Sequence, residues 1–140
     1  MTTKIVVGVD GSEPSARAVE WCAKYAEGLG AEVVAVHVIE IPVYAAPMIP
    51  LPTLTAEGRE EIRDLTAREW CAVLTKANVP HRVLLLDGTP AEALMRAADA
   101  EKADLVVTGT RGRGGFAELL LGSTSHSLSH HLDRPLLIVP

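Results

Sequence analysis

Two stretches of this 140-residue chain combine residue types that hold anions. The first, Val9-Asp10-Gly11-Ser12, sets a carboxylate and a hydroxyl on a glycine turn. The second, Gly109-Thr110-Arg111-Gly112-Arg113-Gly114-Gly115, is followed shortly by Gly122-Ser123-Thr124-Ser125. Glycine has no Cβ, so its backbone N–H can approach an anion closely. Successive exposed amides form an anion-binding nest. A helix opening at Ser123 would add free N–H groups and about half a positive charge. The hydroxyls of Ser123, Thr124 and Ser125 and the charges of Arg111 and Arg113 would complete a phosphate cradle. A tight loop with an N-cap would use the same residues.

Other chemistry is weaker. His126 and His130 stand one helical turn apart beside His131, a spacing that can meet a metal, but no H-E-x-x-H pattern is present and surface histidines are expected. His37 lies inside an apolar strand and reads as a packed core histidine. Cys22 and Cys71 make neither a disulfide framework nor a metal spacing. Both read as small buried hydrophobes. No Gly-x-x-x-x-Gly-Lys-Ser/Thr motif occurs, and neither ligand loop carries a lysine. No clear base stands beside the cradle to position a water, so at most slow hydrolysis of a bound phosphate compound is expected. Asp10 lacks the clustered carboxylates of a phosphorylation receiver, and five aromatic residues are too few for a flavin sandwich.

Composition narrows the classes further. Thirteen Lys and Arg against eighteen Asp and Glu give a net charge of −5, and 48% of residues are apolar. A nucleic-acid binder would show a basic stripe, so none is expected as a partner. No apolar run approaches the roughly 18 residues of a membrane span. The apolar stretch between Lys4 and Asp10 is too short for a secretory signal, so a cytoplasmic protein is expected. The length suggests one domain over residues 1–140.

The positioning elements follow from hydrophobic period. Ile5–Val9 is apolar at every residue, as in a strand covered on both faces. Ser12 is a plausible N-cap for a helix with Pro14 in its first turn. Val19, Cys22, Ala26 and Leu29 form its inner face, with Gly28 and Gly30 at its end. Val33–Ile39 is a second buried strand. Residues 40–54 hold four prolines yet stay apolar, which fits a lid, a partner surface or a loop packed on its own sheet edge. From Thr55 a helix should bury Ile62, Leu65, Thr66, Trp70, Val73 and Ala77 and expose Glu60, Glu61, Asp64 and Arg68. Arg82–Leu86 is a third strand, and Asp87-Gly88 its turn. Thr89-Pro90-Ala91-Glu92 is a capping box opening a helix that buries Leu94, Ala97 and Ala98. Asp104–Thr108, a helix from about Ser123 to Leu132, and a strand Pro135–Val139 complete the chain. Alternating buried strands and amphipathic helices imply an α/β fold: a parallel sheet with helices on both faces.

Four blocks, in order, resemble the universal stress protein family. They are Ile5-Val6-Val7-Gly8-Val9-Asp10-Gly11-Ser12, Ala103–Gly109, the spacing Gly109-x2-Gly112-x9-Gly122-Ser123, and Arg134-Pro135-Leu136-Leu137-Ile138-Val139. The glycine spacing is similar to the ATP-binding motif of the family's nucleotide-binding subgroup. The resemblance implies an open five-stranded, Rossmann-like sheet of order 3-2-1-4-5. It also implies a regulatory, stress-response module that binds ATP with Mg²⁺. The alternatives are a slow ATPase or phosphotransferase and a nucleotide-independent interaction module. Asp10, flanked by Val9 and Ser12, would lie near ribose and phosphates, with a divalent metal as its other expected contact. Val38 would contact adenine through its backbone. Thr108, Gly109, Gly112, Gly122, Ser123, Thr124 and Ser125 would hold phosphates and ribose, with Arg111 and Arg113 beside them. A homodimer through the last strand is also implied, and the apolar edge Leu136-Leu137-Ile138 suits such pairing.

Overall fold

The computed structural model describes residues 2–40, 54–111 and 121–140. The predicted loop 40–54 therefore lies almost wholly outside the described residues, as do Gly112 and Arg113. The strands are β1 (Thr3–Gly8), β2 (Ala31–Glu40), β3 (His81–Gly88), β4 (Leu105–Gly109) and β5 (Leu136–Val139). Between them run α1 (Glu13–Tyr25), α2 (Ala56–Leu65), a π turn (Thr66–Trp70), α3 (Ala72–Lys76), α4 (Pro90–Glu101) and α5 (Ser123–His131). The five strands form one sheet of order β3-β2-β1-β4-β5. Every pairing is parallel, with Val6 opposite Val34 on one side and Val106 on the other.

Continuous apolar strands bury both faces. On one face Ile5, Val7, Val33, Ala35 and Val107 pack with Ala18, Val19 and Cys22 of α1 and with Cys71 and Leu74. On the other, Val6, Val34, Val36 and Val106 pack with Leu94, Ala97 and Ala98 of α4 and Leu128 of α5. Each fully buried Val or Leu contributes about 1.5–3 kcal/mol relative to exposure. The central strands are thereby fixed, and their carboxyl ends become a rigid rim.

Four local expectations change. Leu29 is 48% exposed, because α1 stops at Tyr25 and the chain turns through Gly30 at φ 61°. A single helix from Thr55 does not persist. Cys71 N–H donates to the Thr66 carbonyl at 2.9 Å, five residues back, which inserts one extra residue into the turn. Thr66 stays buried, but the buried stripe then moves to Cys71 and Leu74, leaving Trp70 and Val73 half-buried and Ala77 exposed. Finally, Thr89 is the N-cap of α4 but its side chain makes no capping bond, so Pro90 at the first helical position starts the helix alone. Asp87 and Gly88, expected as a turn, instead finish β3 opposite Ile39 and Glu40.

Candidate functional site

The strand order reverses between β1 and β4, and ligands of open α/β sheets bind beyond the carboxyl ends at such a switch point. A cavity of about 560 Å³ opens there. Small-molecule pockets run about 300–1,000 Å³. One wall is mostly apolar, built by Val36, Val38 and Ile39 of β2, Ile62 of α2 and Leu94 of α4, with His37 and Glu40 of β2 on its rim. The opposite wall is polar and comes from Thr108, Gly109, Arg111, Gly122, Ser123, Thr124 and Ser125. Asp10 lies between them, just beyond the end of β1.

Local bonds fix each part. Val9 N–H donates to the Val36 carbonyl at 2.9 Å, extending the β1–β2 ladder one step past β1. Asp10 Oδ1 then accepts from Ser12 N–H at 2.9 Å and from Ser12 Oγ at 2.5 Å, closing the turn through Gly11 at φ 79°. Ser15 Oγ accepts from Asp10 N–H at 3.1 Å. Asp10 thus shapes the turn and lines the cavity. Ser12 does not line it. It is the N-cap of α1, accepting from Ser15 N–H at 3.3 Å, and borders a second cavity of about 280 Å³ with Glu20, Glu69 and Trp70.

Across the cavity, Gly122 N–H donates to the Thr110 carbonyl at 2.5 Å, and Thr110 N–H donates to Val139 at 3.1 Å. The buried Ser125 hydroxyl points at the Thr110 and Gly122 carbonyls, at 2.9 and 3.2 Å. Ser125 therefore ties the two ends of the loop together. Thr108 is buried too, its Oγ1 3.3 Å from the Gly109 carbonyl. The first-turn amides of α5, at Ser123 and Thr124, have no acceptor within the helix and begin at the polar wall. Gly109 is a glycine for a reason the sequence concealed. A Cβ there would lie 2.5 Å from the Pro14 carbonyl carbon, so α1 sits directly on β4.

His37 is the residue the sequence reading missed. It lines the cavity and is only half-buried. Its Nδ1 lies 2.7 Å from the Val9 carbonyl, which only accepts, so Nδ1 carries the proton. Its ring meets the edge of Trp70 at 5.2 Å. The available signal was its position beside Val38 at the carboxyl end of a central strand. Glu40, also on the rim, was missed for the same reason.

Chemistry elsewhere is structural. At the amino ends of the strands, Arg82 and Lys4 bond Glu101, and the Arg82 guanidinium first, then Lys4, hold its carboxyl below the usual range. Burial pushes the Cys22 thiol up to about 12 and Cys71 to about 11, so both are unreactive. Among the described residues no group of three or more His, Cys, Asp or Glu side chains gathers to hold a metal. No helix among them is long and apolar enough to cross a membrane.

This fold and sequence have relatives. The profile of the Universal stress protein family matches residues 1–140. The chain is 36% identical over 141 residues to the universal stress protein in the QAH/OAS sulfhydrylase 3' region of Thermus aquaticus, covering 99% of both chains. Universal stress protein UspA from Lactobacillus plantarum is similar in structure, with TM-score 0.84 at 21% identity over 99% of this chain and 97% of that one. A universal stress protein solved in complex with cAMP aligns with TM-score 0.73 at 27% identity, over 99% and 96% of the two chains.

Proposed function

The chain belongs to the universal stress protein family, and from that membership we propose that it is an adenine-nucleotide-binding regulatory module whose ligand is ATP with Mg²⁺. The observation that carries this reading is the two-sided cavity: Val36, Val38 and Ile39 of β2 with Ile62 and Leu94 on one side, His37 and Glu40 at that rim, the amino end of α5 on the other, and the Asp10 carboxylate between. A nucleotide has that same polarity: a flat base, a polyhydroxyl sugar and a polyanion. The base would lie along Val38 and Ile62. The phosphates would meet the amides and hydroxyls of Ser123 and Thr124 and the charge of Arg111. Asp10 would supply a hard oxygen of the kind Mg²⁺ takes alongside phosphate oxygens. Gly112 and Arg113 belong to the proposal by the glycine spacing alone. The relative solved with cAMP supports an adenine ligand without deciding its phosphate count.

Ser12 leaves the proposed contact set and becomes the cap that holds Asp10. Ser125 becomes the staple of the loop. Binding, rather than turnover, is the proposed activity, because among the described residues lining the cavity none is a lysine. A homodimer through β5 is part of the proposal, since β5 is the outer strand and is apolar throughout. Calorimetric titration of ATP, ADP, AMP and cAMP, each with and without Mg²⁺, tests the reading. Saturable binding that tightens with phosphate count and with Mg²⁺ is expected. Equal affinity for AMP and ATP, indifferent to Mg²⁺, would remove the triphosphate and the metal from it.

A further inference from the structure

We propose that His126 and His130 form a surface site for a divalent transition-metal ion of the Ni²⁺, Cu²⁺ or Zn²⁺ class. Both lie on α5, four residues apart, so they stand one above the other on one face. Their ring centroids are 4.6 Å apart, and both side chains are exposed. Two imidazoles one turn apart are the pair with which a helix grips zinc. An ion held at about 2.0–2.1 Å from one nitrogen of each ring needs rings this close. The backbone beneath the pair is already ordered. His126 N–H donates to Gly122 at 2.9 Å, Leu132 N–H donates to Leu128 at 2.9 Å, and Leu128 is buried in the core. Little backbone entropy therefore remains to be lost on binding, and the cost falls on the two side-chain rotamers.

His131 is not part of the pair. It lies about 100° further round the helix than His130, and its ring is 6.4 Å from that of His130. A donor set of two imidazole nitrogens selects borderline metals. Mg²⁺ and Ca²⁺ demand oxygen. The site is thus chemically separate from the Mg²⁺ proposed at Asp10, and it does not rest on nucleotide binding. Two protein donors leave the other positions of the ion to water or to an outside ligand.

The test is calorimetric titration of the full chain with NiCl₂ and with ZnCl₂, in excess Mg²⁺. One ion per chain is expected. His126→Ala and His130→Ala should each weaken binding by about tenfold or more, since a direct ligand matters no less than its outer-shell support. His131→Ala and His81→Ala should stay within about twofold of the parent by the same reasoning. Both pair positions are exposed, and far-ultraviolet circular dichroism checks that the variants fold. Absence of saturable binding would overturn the proposal, as would parental affinity in either single variant of the pair.

Discussion

Val9 is held twice by β2, through its own N–H to Val36 and through its carbonyl, which accepts from His37 at 2.7 Å. That carbonyl belongs to the peptide leading into Asp10, so His37 sets the plane from which the carboxylate starts. Replacing His37 with Phe keeps the ring against Trp70 and removes the donor. Leaving a carbonyl unsatisfied costs about 1–3 kcal/mol, and we expect nucleotide affinity to fall by roughly tenfold, about 1.4 kcal/mol. Titration calorimetry on the folded variant checks it, and unchanged affinity would mean the Val36 bond suffices. The two glycines of the motif separate in the same way. Gly109→Ala forces a methyl against Pro14 and should cost about 1–3 kcal/mol of stability in urea unfolding. Gly122 has φ −71°, which alanine adopts freely, so Gly122→Ala should fold and bind nucleotide poorly, its methyl crowding the phosphates. A sequence shows that both are glycine. It does not show that both line the cavity while a Cβ at Gly109 would strike Pro14. His37 was equally hidden, because a lone histidine in an apolar run reads as core until the strand's end is located.

Elements were legible where one period ran unbroken. β1 and β2 announced themselves by continuous apolar residues, and α4 by Leu94, Ala97 and Ala98. The segment from Thr55 was not, because a single inserted residue at the π turn shifts every later position by about 100°. The shift buries Cys71 rather than Trp70, and beside Cys22 it leaves two thiols in the core. Their raised pKa values, about 12 and about 11 against the usual 9.0, mean the folded state keeps protons that the unfolded chain releases. Stability is then full below pH 9 and falls above it, by about 1.4 kcal/mol per pH unit for each thiol until the folded values are reached. Urea midpoints measured from neutral pH upward should show that decline, and a flat profile would contradict the burial. At the other end of the sheet, Arg134 Nη1 donates to the Ala98 and Ala103 carbonyls at 2.8 and 3.1 Å and closes the end of α4. Arg134→Ala should destabilise by about 1.5–3 kcal/mol, the range for hydrogen bonds from a charged group. Lysine should recover only part, lacking the planar fork.

The order β3-β2-β1-β4-β5 brings the ends of β1, β2 and β4 together and leaves β5 outermost. The cavity follows from the first fact. The proposed dimer follows from the second. Ile138 belongs to neither core cluster, unlike Leu136 and Leu137, which pack on opposite faces. A lysine there should block edge pairing without emptying the core. Ile138→Lys is expected to sediment as a monomer where the parent sediments as a dimer, and a parent that is itself monomeric would end the edge proposal. The alternation of elements made the sheet legible from residues alone. The strand order came from resemblance, since composition does not say which strand lies beside which. Thermal unfolding of ligand-free protein titrated with Mg²⁺-ATP, adenosine and tripolyphosphate reads directly whether the cavity takes an adenine nucleotide. Ligand at a hundredfold its dissociation constant adds about 2.7 kcal/mol. The midpoint should rise on the order of 5–10 °C with ATP, and by clearly less with either fragment, because each fills one wall only. No shift with ATP, or an equal shift with tripolyphosphate alone, would mean that the cavity is not an adenine-nucleotide site.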